Sequence, residues 1–363
     1  VRTLRIVPHL RSSVVEEMPA DQALLFTSER RDADVSLYAG RDVRPFSWRA
    51  LLRALRDPDL ELLEVAEPLW TAEWVRALRY VVLARVVPRR RAGRVAVATY
   101  AIENLDARER LRRLPHRPVL GALASRLLLL ATGASMLLLD TVVFGTTGAA
   151  DNHRRAFGWA VRRTRHAVLP PRLGPCSVCG TVDTTGPREP TVLFLGAPGE
   201  RKGFSVLVAA WERSGAAARG WRLLVADPEG DRELGDLPDG VSVRVALPRA
   251  EIHRLLRTAA VVAMPSVRRP GWREQIGLPL VEGLAHGCRV VTTTETGLAP
   301  DLGDHPHVVL TAPGDVDDLA AGLHRAMAPS GRSGTSGYVG HTKRDVVAWW
   351  LAQVGGSSGR SPS

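Results

Sequence analysis

The chain alternates two kinds of apolar pattern, and it does so in two separate stretches. In the first half, short β-branched runs occur at residues 4–8 (LRIVP), 35–38 (VSLY), 60–65 (LELLEV), 95–99 (VAVAT) and 140–144 (DTVVF). Longer segments with apolar residues three and four apart, such as 74–87, lie between them. This repetition predicts mostly parallel strands joined by helices that cover both faces of a sheet. The pattern then breaks at residues 170–190 (PPRLGPCSVCGTVDTTGPREP), where prolines and glycines replace any apolar period. It restarts with strands over 191–195, 221–226, 241–245, 261–264 and 289–293 and a helix over 203–212.

Two domains follow from this break. A length of 363 residues accommodates two cores, and 45% hydrophobic content is enough to fill them. The expected organisation is an N-terminal domain over 1–172, a linker over 173–185 and a second domain over 186–328. A flexible joint at 329–340 then leads to a helix over 341–354 that docks back on the first domain, with a disordered tail at 355–363. The docking expectation rests on Trp349 and Trp350, which together carry too much apolar surface to leave in water.

Charge narrows the partners. The 49 basic and 38 acidic residues leave a net charge of +11, but only Lys202 and Lys343 are lysines and the arginines are scattered. No aromatic ladder is interleaved with the basic patches at 89–91 (RRR) and 112–117 (RRLPHR), so a nucleic-acid platform is not expected. Those patches are either solvated faces or sites of attraction for anionic headgroups or a lipid diphosphate. The most apolar window, residues 127–139, spans 13 residues, short of the roughly 20 that cross a bilayer, and predicts a buried helix. Three cysteines are too few for a disulfide framework, and no signal-like segment opens the chain. The expected location is the cytoplasm, with peripheral contact at the inner face of the membrane left open.

The densest chemistry lies in residues 274–287 (EQIGLPLVEGLAHG). Pro279 suits a first helical turn, Gly287 suits a helix end, and Gly277 lets a ligand approach the backbone. Amides at such a helix start, with the positive end of its dipole, form a phosphate cradle. Glu274 and Glu282 beside a phosphate make sense as acceptors for neutral hydroxyls on either side of it.

The run MPSVRRPGWREQIGLPLVEGLAHGCRVV, with VLFLGAPGERKGFSVLVAAW upstream and TAPGDVDDLAAGL downstream, resembles the nucleotide-sugar site of retaining glycosyltransferases of family four. The resemblance covers nearly the whole second domain. It implies an α/β chain of GT-B architecture, two Rossmann-like domains facing across a cleft, acting as a hexosyltransferase in cell-envelope, polysaccharide or glycolipid synthesis. By that resemblance Glu282 binds the donor ribose and Glu274 the transferred sugar. The amides at Gly277 and Leu278 hold the sugar or its diphosphate, and Lys202 contacts the diphosphate. Gly196 ends the first strand of the domain, but Ala197 stands where the family commonly has arginine, and Arg201 is the candidate replacement for that charge.

A UDP-, GDP- or dTDP-sugar is the implied donor, and a carbohydrate or lipid-linked molecule the acceptor. No metal cluster is recognised in the sequence and no metal requirement is expected: no convincing Asp-x-Asp pair is present, and Asp315, Asp317 and Asp318 suit a helix cap. No general base stands out, which suits same-face attack in which the donor's own phosphate takes the acceptor proton.

In the first domain the acceptor-side candidates are strand-end residues: His9, Glu103, Asn104, Thr146, Thr147, Asp151 and Arg154. The glycine-rich loop frequent in the family is replaced by HLRSSVVEE. Cys176 and Cys179 form one CxxC pair open to metal binding, redox work or plain linker packing. Cys288 is expected in the core, and His286 at a helix terminus. Two rivals to the transferase remain: a sugar-nucleotide epimerase of the same fold and a non-catalytic binding or scaffold subunit, which Ala197 and the missing glycine-rich loop favour. Oligomeric state is not legible.

Overall fold

The computed structural model describes residues 2–30, 33–88, 94–112, 118–172, 179, 188–230, 233–328 and 340–355; side chains at 110–112 and 118–125 lie outside the description. The chain divides into two compact units, Val1–Pro170 with His341–Ser363, and Pro171–Gly340.

The first unit holds strands β1 (Thr3–Leu10), β2 (Gln22–Glu29), β3 (Val43–Pro45), β4 (Leu62–Val65), β5 (Ala96–Ala101), β6 (Thr141–Phe144) and β7 (Arg165–Val168). They form one parallel sheet in the order β3-β2-β1-β4-β5-β6-β7. Its helices are α1 (Ser12–Glu16), α2 (Trp48–Arg56), α3 (Thr71–Val86), α4 (Ala107–Arg112), α5 (Pro118–Met136) and α6 (Thr147–Val161). The second unit holds β8 (Glu189–Leu195), β9 (Arg222–Asp227), β10 (Val241–Val245), β11 (Ala259–Met264), β12 (Arg289–Thr293) and β13 (Val308–Thr311), parallel in the order β10-β9-β8-β11-β12-β13. Around them lie α7 (Phe204–Ser214), α8 (Arg249–Thr258), α9 (Leu278–Ala285), α10 (Ala299–Leu302) and α11 (Val316–Met327). A last helix, α12 (Lys343–Gly355), belongs to the first unit.

Both sheets are doubly wound, and the strand alternation shows why the central strands are apolar throughout. Leu63, Val65 and Val97 face one core with Trp74, Val81 and Phe157. Leu62, Ala96 and Ala98, one residue away on the same strands, face the other side and pack with Val346, Val347 and Trp350 of α12. Trp350 is fully buried there, and the buried Lys343 at the start of α12 pairs with Glu64 of β4 at 2.5 Å. In the second unit Val192, Phe194, Val225 and Val261 meet α7 and α11 on one face. On the other, a Cβ at Gly283 of α9 would stand 2.8 Å from Val262, so glycine alone lets α9 lie this close to the sheet.

Two expectations fail. Residues 35–38 form a 3-10 helix, not a strand, because Asp34 accepts a hydrogen bond from the Ser36 amide and caps the turn. The 127–139 window is not a buried helix: Leu127 and Leu130 are 58% and 56% exposed. Met136 and Leu139 are buried, while Gly133 brings α5 against Phe157 and Trp159 of α6, so one side of the segment packs and the other meets solvent. Among the described residues no helix is long and apolar enough to cross a membrane. The basic patches at 89–91 and 113–117, most of the 173–185 linker, the joint at 329–339 and the 356–363 tail lie outside the described residues.

Candidate active site

Strand order fixes where the second unit can hold a ligand. The connections reverse direction between β8 and β11, which are neighbours, and loops leaving the carboxyl ends of such a pair diverge to leave a crevice. The loop after β8 carries Gly196, Arg201 and Lys202, and the loop after β11 carries Ser266, Trp272 and Glu274.

These loops are pinned together by backbone. The Val267 amide donates to the Arg201 carbonyl at 3.1 Å. Gly203 is left-handed, with φ of 68°, and a Cβ there would sit 2.0 Å from the Pro265 carbonyl oxygen. No side chain fits at that position without moving the β11 loop. The consequence is a direct contact between the two loops: Lys202 Nζ lies 2.5 Å from Glu274 Oε2, which also accepts the Ser266 hydroxyl at 3.1 Å. The pair is mostly shielded, with side chains 17% and 12% exposed. Trp272 lies beneath both cations, with Arg201 at 5.2 Å and Lys202 at 5.7 Å from its ring centre.

The same β11 loop runs on into α9. Gly277 takes a left-handed turn, φ 82°, immediately before the helix, and a Cβ there would strike the Met264 side chain at 2.4 Å. Pro279 occupies the first turn, and no side chain caps it. The amides of Gly277 and Leu278 therefore lie at an uncapped helix start within three to four residues of Glu274, at the positive end of the dipole. One turn along, Glu282 Oε1 accepts from Arg249 Nη2 at 2.5 Å, and both side chains are largely buried. Gly196 ends β8 with its amide bonded to the Ala226 carbonyl.

The structure thus brings Lys202 and Glu274 into direct contact beside Gly277 and Leu278, and places Arg201 on the adjoining tryptophan. Sequence reasoning missed Arg249, Ser266 and Trp272. Trp272 had a signal, an aromatic between arginines two residues before Glu274. Arg249 had none, because 33 residues separate it from Glu282. Asp315 accepts from the amides of Asp317 and Asp318, a helix cap as expected.

In the first unit the acceptor-side candidates all lie at the carboxyl edge of the sheet, in differing situations. His9 Nδ1 is 2.7 Å from the Ser28 hydroxyl at the exposed end of β1. Glu103 and Asn104 are buried, and Glu103 accepts the Leu105 amide at 2.9 Å, closing its own loop. Thr146 is fully buried and caps α6 through the Ala149 amide, a structural task rather than an open contact. Asp151 and Arg154 pair with each other one turn along α6 at 3.2 Å and are about half exposed. Thr147 begins the same helix.

An unforeseen buried group organises this edge. Glu67, at the end of β4, accepts the amides of Ile102 and Glu103 at 3.0 and 3.1 Å and lies 3.6 Å from His153 Nε2. Asn152 donates to the carbonyls of Glu103 and Leu105. Complete burial pushes the His153 pKa down to about 4, so the ring is neutral near pH 7.

Residues 189–328 match the family model described as Glycosyl transferases group 1. No curated protein sequence matches the chain significantly. Solved structures match over nearly its whole length at low identity. Trehalose 6-phosphate synthase of Burkholderia multivorans is 14% identical, covering 99% of this chain and all of that one, with a TM-score of 0.57. Anabaena HepE in complex with UDP is 13% identical over 99% and 95% of the two chains, TM-score 0.57. Sucrose-phosphate synthase of Thermosynechococcus elongatus is 16% identical over 90% and 89%, TM-score 0.53. The fold is GT-B, and the second unit carries a glycosyltransferase domain.

Proposed function

We propose that this chain moves a sugar from a nucleoside diphosphate sugar to a carbohydrate or lipid-linked acceptor, with retention at the anomeric carbon. The observation that carries the reading is the Lys202–Glu274 contact at 2.5 Å beside the uncapped start of α9. Breaking the bond between the anomeric carbon and the diphosphate oxygen leaves negative charge on the diphosphate. Lys202 and the amides of Gly277 and Leu278 are donors fixed before that charge develops, which is when they lower a barrier most.

Glu274 has two tasks in this scheme. In the resting protein it holds the Lys202 ammonium in place. With donor bound, it accepts the sugar's hydroxyls while the ammonium turns to phosphate. Glu282 takes the ribose diol, and Arg249 keeps its carboxylate in position. The acceptor oxygen bonds to the anomeric carbon on the face the diphosphate leaves, and its proton passes to a diphosphate oxygen. No side-chain base and no metal at the diphosphate are needed. The family-four mechanism, a role in envelope polysaccharide or glycolipid synthesis and a place at the cytoplasmic membrane face belong to the same proposal.

Ala197 favours a second reading, a subunit that binds the sugar nucleotide without turning it over, since a cation is missing from the β8 turn. One experiment separates the two. The protein is incubated with UDP-, GDP- and dTDP-sugars, with and without sugar phosphates or lipid-linked acceptors, and nucleoside diphosphate release is followed. UDP-sugars come first, since one solved neighbour holds UDP. Slow release that one acceptor accelerates supports transfer. Tight donor binding with no release under any acceptor supports the binding subunit.

A further inference from the structure

Behind the nucleotide helix, at the opposite end of α9 from Gly277, three metal-ligating side chains converge from three distant parts of the second unit. Cys179 Sγ lies 3.5 Å from His253 Nδ1 and 3.5 Å from His286 Nε2, and the two nitrogens are 3.2 Å apart. Cys179 comes from the segment that follows the first unit, His253 from α8 and His286 from the end of α9. Both histidines are buried and the cysteine partly so.

The triangle has the size a tetrahedral zinc ion imposes. With Zn–N of about 2.0–2.1 Å and Zn–S of about 2.3 Å, tetrahedral angles put two nitrogens about 3.3–3.4 Å apart and sulfur about 3.5–3.6 Å from each. All three observed separations fall within about 0.2 Å of these edges. Packing alone has no reason to equalise three such distances, and hydrogen bonding within the triangle has few protons to share. His286 Nδ1 is 2.7 Å from the Glu282 carbonyl and donates to it, so Nε2 turns its lone pair inward. A backbone carbonyl behind a ring nitrogen is the usual outer support of a metal-bound histidine.

The surroundings also suit a thiolate. Arg257 Nη1 points at Cys179 Sγ from 3.0 Å, a charge-assisted donor that favours the ionised sulfur a metal requires. Arg188 fixes the other wall, donating to the carbonyls of His286 at 2.5 Å and Ala259 at 2.9 Å. Cys288, nearby in sequence, is excluded from the cluster: its thiol is buried and directed at the carbonyls of Leu256 and Ala259.

We propose that Cys179, His253 and His286 bind a structural zinc ion that ties the segment entering the second unit to α8 and to the end of α9. One thiolate and two imidazoles are a donor set that zinc takes readily, with a fourth position for a further ligand. The ion is separate from the proposed transfer chemistry, which needs none.

The test uses the full chain expressed in zinc-supplemented medium and desalted, with metal measured by plasma mass spectrometry. Wild type is expected to retain about one zinc per chain, with at least a tenfold loss in Cys179→Ser and in His286→Asn. Cys288→Ser, whose sulfur lies outside the triangle, should keep the wild-type content. Circular dichroism checks that each variant is folded. Cobalt(II) loaded into the chelator-stripped wild-type chain gives a second reading that needs no variant: tetrahedral d–d bands with a thiolate-to-metal charge-transfer band. Wild type purified and zinc-reconstituted with less than about a tenth of an equivalent overturns the proposal. So does full zinc in both ligand variants, or a cobalt spectrum without the thiolate band. None of these readings depends on glycosyl transfer, so failure of the zinc site and failure of the proposed function are distinguishable.

Discussion

Lys343 and Lys202 are the chain's two lysines, one in each unit, and each sits 2.5 Å from a glutamate carboxylate and over a tryptophan ring. The surroundings differ. Lys343 and Glu64 are each 6% exposed, with Tyr100 and Trp350 packed on the ammonium and Arg5 3.2 Å from the same carboxylate. Lys202 and Glu274 are two to three times more exposed and lie between two loops at a strand-order reversal. A compact ammonium fits both places where a planar guanidinium would need more room. Sealed on every side, such a pair only holds elements together. Left with one side open, it is a cation and an acceptor that can change partners.

The largest effect should come from opening the exposed pair. Lys202→Ala removes the donor nearest the proposed leaving group and is expected to lower kcat by about a hundredfold, with little change in unfolding midpoint. Release of nucleoside diphosphate under saturating donor measures it. An unchanged kcat would mean that the 2.5 Å contact is as structural as its counterpart in the first unit.

Lys343→Met should do the reverse. It leaves the buried Glu64 paired with Arg5 but without its ammonium, and a stability loss of about 3 kcal/mol is expected from denaturant melts, with donor KM unchanged. The pH dependence sharpens the contrast. Burial lowers the Lys343 pKa from 10.5 to about 8, opposed by Glu64. Below pH 8 the ammonium is protonated in folded and unfolded chains alike, and stability does not respond to it. From pH 8 to 10.5 the unfolded chain holds a proton that the folded one has released, so stability rises with pH across that window. Paired melts at pH 7.5 and 10 should show wild type gaining on Lys343→Met. A constant difference would show that the pair stays ionised throughout.

Glu282→Ala is the next smaller effect. It removes the Arg249 contact and the proposed ribose acceptor, and donor KM should rise about tenfold with kcat nearly constant. Titration of donor at fixed acceptor reads it. A fall in kcat with KM unchanged would move Glu282 from binding to chemistry.

Legibility in the sequence followed the distance over which a feature was encoded. The strands at 241–245 and 289–293 fell at the expected residues: VSVRV alternates with period 2, and RVVTT is a short β-branched run just behind the helix-ending Gly287. The VSLY run did not, since four residues leave the period undecided and the neighbouring Asp34 settled the turn. β2 went unseen: its buried QALLF half followed by polar residues matches neither an alternating strand nor an amphipathic helix. At the site, Glu274, Gly277, Pro279 and Glu282 lie within nine residues and could be read as one motif, and the resemblance supplied Lys202. Arg249, Glu67 and the Cys179–His253–His286 triangle bring together residues 33 to 107 positions apart, and only folding makes them neighbours.

Thr146 is where the two readings of the first unit separate most finely. The sequence places it among the acceptor contacts, whereas its hydroxyl accepts from the Ala149 amide at 2.9 Å with no surface exposed. A cap of this kind contributes about 1 kcal/mol, and Thr146→Ala should lose that much in denaturant melts while Thr146→Ser keeps nearly all of it. If the hydroxyl serves only the helix, acceptor KM should be the same in both variants and in wild type. A raised acceptor KM in Thr146→Ala, restored by serine and exceeding what the stability loss explains, would show that the start of α6 opens toward the acceptor during turnover. It would also make the sealed-versus-open distinction drawn from the two lysines a property of the resting chain alone.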